Sequence, residues 1–139
     1  MSNLREWICN YDSKKASKIS NITAVVTFLI LILKFVLKIR GDFVWPVVMA
    51  LLIVSSVFET IGKKKGYILD GENLFLIFVS NHRILFLLTA FPVGILHALI
   101  FRTISNIIFV VMIHYLICNI VSLLFELKLI KRQKRRIKE

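Results

Sequence analysis

Residues 72–102 read ENLFLIFVSNHRILFLLTAFPVGILHALIFR, and the division of this stretch decides the fold. It is apolar enough for lipid, yet Ser80-Asn81-His82-Arg83 interrupts it, and Pro92 and His97 follow. Two full membrane spans need about 40 residues, and 74–101 supplies 28. An arginine at mid-bilayer costs about 3 kcal/mol. One span is therefore expected at 84–101, bracketed by Arg83 and Arg102, with 74–83 as an interfacial lead-in to the same helix. Pro92 removes one internal hydrogen bond and Gly94 follows it, so a bend is expected there.

The rest of the chain has the same character. Of 139 residues, 58% are hydrophobic and only 19% charged, with a mean hydropathy of +0.79. A soluble core cannot use such long unbroken apolar blocks, because one face of each element must meet water. Bilayer-spanning helices can, since they satisfy every backbone group internally. Three more spans are expected at 19–39, 43–61 and 104–125. The fold class is thus all-α, a polytopic bundle of four transmembrane helices. No cleavage site follows the first block, which ends in Lys38-Ile39-Arg40, so it reads as an uncleaved anchor.

Charge gives the orientation. The leader 1–18, the loop 62–73 and the tail 128–139 hold fourteen Lys and Arg, against Lys34, Lys38, Arg40 and Arg102 on the other side. This places both termini in the cytoplasm of a multi-pass cell-membrane protein. The net charge of +11 flanks apolar blocks rather than forming a face between aromatics, so no nucleic-acid partner is expected. In the leader, Leu4, Trp7, Ile8 and Tyr11 share one helical face, with Asn3 and Glu6 as a capping pair, which suits a short interfacial helix. Arg40-Gly41-Asp42 reads as a turn between spans. Cys9 and Cys118 belong at different depths, so no disulfide is expected.

Each span carries a polar stripe. Ser20, Thr23, Thr27, Lys34 and Lys38 fall within about 60° on the first. Ser55, Ser56 and Glu59 share a face of the second. Tyr115, Asn119, Ser122 and Glu126 fall within about 60° on the fourth, with Cys118 beside them. Membrane helices use such residues as interhelical glue. By depth, Glu59, His82, Arg83 and Glu126 form a cytoplasmic-side belt in which Glu59 or Glu126 can pair with Arg83. Lys34, Lys38, His97 and Arg102 form an outer cluster suited to an anionic group such as a lipid phosphate.

His82 and His97 lie about 22 Å apart on one helix and cannot share a metal ion. His97 and His114 can approach to within a turn's depth, but two ligands with no nearby carboxylate make a poor site, so neither metal nor cofactor is expected. Phe91 to His97 followed by His114 and Asn119 resembles the later motifs of the CAAX-type intramembrane proteases, at different spacing and without that family's paired glutamates and arginine. The resemblance implies an intramembrane hydrolase using His97, His114 and Asn119; as a second functional reading, an intramembrane enzyme adds Glu59 to these candidates. The first expectation is instead a small non-enzymatic protein that binds a membrane partner: another protein, a membrane-active peptide or an anionic lipid. A holin-like pore-former is a third reading, and self-association is compatible with all three.

Overall fold

The computed structural model describes residues 2–100 and 107–139. Arg102, and the expected start of the fourth span at 104, lie outside the described residues. The described chain is all-α: α1 (Ser2–Asn10), α2 (Ser13–Val36), α3 (Val44–Leu69), α4 (Leu74–Val79), α5 (His82–Ile100) and α6 (Ile107–Lys138). Helices α2, α3, α5 and α6 are long and apolar enough to cross a bilayer, which makes this a helical multi-pass membrane protein. The chain divides into two compact units, residues 1–71 and 72–139.

The first unit is the α2–α3 hairpin with α1 packed on α3. Asp12 starts α2 by accepting from the Lys14 backbone N–H at 2.9 Å, a capping arrangement that satisfies one of the orphan donors at a helix start. Asn3 lies inside α1 rather than ahead of it, so it is not the cap of that helix. The polar stripe of α2 turns to α3, with Ser20 and Thr27 buried. Ser55 Oγ donates to the Ser20 carbonyl at 3.0 Å, and the two hydroxyls lie 3.4 Å apart. Thr23 and Thr27 return their hydroxyls to their own helix. Small residues let the two backbones approach: a Cβ on Gly62 would stand 2.6 Å from Ser17 Oγ and 3.3 Å from the Ser13 carbonyl.

Helix α3 runs on past Ile61 to Leu69, where the sequence reads as a loop. Its one non-helical residue is Lys64, at φ −113° and ψ 17°. Three contacts outweigh the turn chemistry of Gly62 and Gly66. Ile61 and Ile68, two turns apart, are both buried. Lys63 pairs with Glu59 at 2.6 Å. Lys65 donates to the Tyr11 carbonyl. Tyr11 also bridges Trp7 and Phe58, with ring centroids 5.2 and 5.6 Å away, and so fastens α1 to α3.

In the second unit, 74–83 is not the start of the same helix as 84–101. α4 ends at Val79 and α5 begins at His82. The polar run supplies the break: Ser80 Oγ donates to the Ile77 carbonyl at 2.6 Å, and Asn81 Oδ1 accepts from the Arg83 N–H at 3.0 Å. α4 is packed rather than laid on a surface, since Leu74, Leu76, Ile77 and Val79 are all buried. α5 continues through Pro92 as one helix.

The basic tail is the last part of α6, whose 32 residues span about 48 Å against a hydrocarbon core of about 30 Å. Leu129 is fully buried there. Arg132 and Arg136, one turn apart, reach the carboxylate of Glu72 at 3.3 and 3.2 Å. Glu72 is only 3% exposed, so removing these guanidiniums would leave its carboxylate buried without an ion-pair partner from α6.

Two outcomes are expected. Gly62→Leu should lower the stability of the hairpin by about 1–3 kcal/mol in detergent unfolding, and Gly62→Ala by less, because Ser17 can rotate away. Glu72→Ala should cost about 1–3 kcal/mol and raise amide exchange across 130–138 while leaving α5 protected.

Candidate functional site

The described members of the expected outer cluster belong to both units, Lys34 and Lys38 to the first and His97 to the second. Lys34 folds back on the α2–α3 turn, where Nζ donates to the Gly41 and Ile39 carbonyls at 3.1 and 3.4 Å and lies 5.4 Å from the Trp45 ring centroid. Its charge therefore closes the hairpin. Lys38 is exposed and sits in the left-handed region at φ 48°, at the position after a helix cap that favours glycine. His97 is half-buried on α5, in the other unit. Of the expected belt, Glu59 belongs to the first unit, while His82, Arg83 and Glu126 belong to the second.

Within the second unit, α5 and α6 meet at Thr89. Its Oγ1 lies 2.7 Å from His114 Nε2, 2.7 Å from the Leu85 carbonyl and 3.6 Å from Cys118 Sγ. A hydroxyl carries one hydrogen. With that hydrogen on the Leu85 carbonyl, His114 donates through Nε2, and that nitrogen is no longer available as a base. The Phe86 ring lies against His114, with centroids 4.7 Å apart, and meets Tyr115 edge-on at 5.7 Å. The same register sets His97 apart. It lies eight residues beyond Thr89 on α5, about 12 Å along the axis. Asn119 is turned toward its own helix, donating from Nδ2 to the Tyr115 carbonyl at 2.8 Å. These placements do not assemble a shared reaction centre from His97, His114 and Asn119.

The residues that do converge are at the α4–α5 break. A pocket of ≈ 300 Å³ is lined by Ser80, His82, Asn119, Ile120, Ser122, Leu123 and Glu126. It unites Asn119, Ser122 and Glu126, which share a helical face, with His82 of the expected belt and Ser80 from the break. The His82 ring stands edge-on to Tyr115 at 5.7 Å. Ser80 and Ser122 are buried at the pocket wall, while Ile120 and Leu123 remain exposed beside it. A second concavity, of ≈ 470 Å³, lies along the first turns of α2 against Gly62, and its charged lining is Lys14 and Lys18. Both lysines are exposed surface side chains.

Sequence periodicity missed Glu72 and the Thr89–His114 contact. Arg132, Arg136 and Leu129 fall within about 60° on α6, which is the signal for a buried acidic partner. The Thr89 contact depends on the depth register of α5 against α6, which no spacing within one helix reports. Among the described residues, no group of three or more His, Cys, Asp and Glu is placed to hold a metal ion.

Thr89→Val should lower stability by about 0.5–1.5 kcal/mol in detergent unfolding.

The chain matches no protein-family model, no curated protein and no solved structure.

Proposed function

We propose that this is a small non-enzymatic protein of the cell membrane, with both ends in the cytoplasm, that works by binding a membrane partner. The observation that carries the reading is the contrast between the two polar clusters of the second unit. The residue best suited to catalysis, His114, is held in a structural bond with Thr89. The residues suited to recognition, His82, Asn119 and Glu126, line a pocket. The excess of Lys and Arg in the leader, the 62–73 segment and the tail supports the orientation. In that orientation the pocket lies near the cytoplasmic headgroups, at the level where α5 begins and the tail leaves the bilayer.

The partner is a lipid headgroup or a neighbouring membrane protein. Pull-down from native membranes in mild detergent, with lipid and protein identification, is the test. The wild-type chain should retain a specific partner that Ser122→Leu, which fills the pocket, reduces at least tenfold. Hydrolysis of a lipid or peptide by the purified protein, abolished by His114→Ala with the fold intact, would overturn the reading.

A further inference from the structure

We propose that the groove along the first turns of α2 takes the phosphate of an acidic phospholipid. This site is separate from the pocket at the α4–α5 break and does not rest on it. Lys14 and Lys18, one turn apart, stand beside Ser13, Ser17 and Asn21, and Gly62 forms the α3 side of a concavity of ≈ 470 Å³. A Cβ on Gly62 would stand 2.6 Å from Ser17 Oγ, so a side chain there would intrude on the groove. The serines and the asparagine can each donate or accept hydrogen bonds, so the two ammoniums decide the sign. No carboxylate lines the groove, and among the described residues none pairs with Lys14 or Lys18. The acids closest along the two helices are engaged elsewhere. Asp12 caps α2 by accepting from the Lys14 backbone N–H at 2.9 Å, and Glu59 pairs with Lys63 at 2.6 Å. A phosphate brings several acceptor oxygens and the opposite charge to this lining. A headgroup with its own cation brings two ammoniums no net counter-charge.

The same face of α2 extends the assignment from an anion to a lipid. Ile22 belongs to the groove lining and is exposed, and Val25, Val26 and Leu29 continue from it as exposed apolar side chains. They follow Ile22 at i+3, i+4 and i+7, so they share its face. Between Lys18 and Ile22, about 6 Å along the axis, ammonium and amide give way to a stripe that acyl chains can cover. Lys14 and Lys18 precede the apolar part of α2, which places the groove at headgroup depth whichever way the chain is oriented. The proposed orientation puts it in the cytoplasmic leaflet, whose surface carries the negative charge of acidic lipids. A phosphate free in solution carries the same acceptors but leaves the apolar stripe unused.

The test is native mass spectrometry of the full chain with phosphatidic acid, phosphatidylglycerol and phosphatidylcholine of identical acyl chains, alongside inorganic phosphate. Each lysine near an anionic surface contributes about fivefold, so the acidic lipids should bind about tenfold or more tightly than the choline lipid. Lys14→Gln with Lys18→Gln should remove that preference. Lys131→Gln with Lys138→Gln takes the same charge from the exposed tail and should leave the preference within about twofold. Asn21→Leu, which fills the groove without changing its charge, should weaken acidic-lipid binding about threefold or more while melting temperature stays near wild type. Inorganic phosphate binding as tightly as the lipids, and needing Lys14 and Lys18, would support the phosphate chemistry and assign a soluble source. Equal binding of all three lipids, equal losses from the two lysine pairs, or a preference insensitive to Asn21→Leu would overturn the assignment. Ser122→Leu, in the other pocket, should leave the preference unchanged. Its loss there instead would move the acidic lipid to the α4–α5 break, which sinks this site and spares the binding role.

Discussion

Lipid tails are as apolar as leucine, so two helices in a bilayer gain nothing by hiding hydrophobic surface from them. The structure depends on this constraint. What joins α2 to α3 is close approach and hydroxyl bonding: Gly62 against Ser17, and Ser55 on the Ser20 carbonyl. What joins α5 to α6 is Thr89 against His114, with Phe86 stacked alongside. The remaining surfaces of these helices stay apolar and exposed, including Phe28, Leu29, Phe91 and Leu116. These helices therefore join through small residues and polar contacts and keep apolar side chains on their exposed faces.

The charged ends follow a different rule, because there water competes. Helices α3 and α6 continue beyond their apolar lengths, and each extension is fixed by specific partners. Lys63 and Lys65 are drawn onto Glu59 and the Tyr11 carbonyl. Arg132 and Arg136 converge on a carboxylate buried at Glu72. An unpaired carboxylate at 3% exposure would cost several kcal/mol, on the order of 3–5, so α6 cannot leave Glu72 cheaply. The tail is thus divided: these arginines serve the fold, while Lys128, Lys131, Arg135 and Lys138 stay exposed.

Much of this was legible in the sequence, for identifiable reasons. The Ser20–Thr27 stripe could be read from helical spacing because a polar residue in a span has few places to turn. The start of the third span near Arg83 could be read from length and the cost of a buried charge, whereas the helix break at Ser80–Asn81 could not. The extension of α3 through Gly62 and Gly66 could not, because Lys-rich sequence with glycines suits a turn as well as a helix, and burial of Ile68 decided it. The separation of His97 from His114 was hidden as well. Spacing places residues on a face, whereas the level at which two helices meet is set by side chains on both. For the same reason, the pocket was half visible. Asn119, Ser122 and Glu126 share a face, but Ser80 and His82 join them only because the chain breaks at Asn81.

The account requires that α2 and α3 cross the membrane as a hairpin, with the Arg40–Asp42 turn on one side and the Lys63–Lys65 segment on the other. Single-cysteine labelling tests this most directly, with Cys9 and Cys118 replaced by serine and a cysteine placed at Asp42, Gly66 or Glu139. A membrane-impermeant reagent should reach position 42 from one side, and positions 66 and 139 only from the opposite side. Labelling of 42 and 66 from the same side would contradict the membrane-spanning hairpin on which the fold and the pocket's depth both rest.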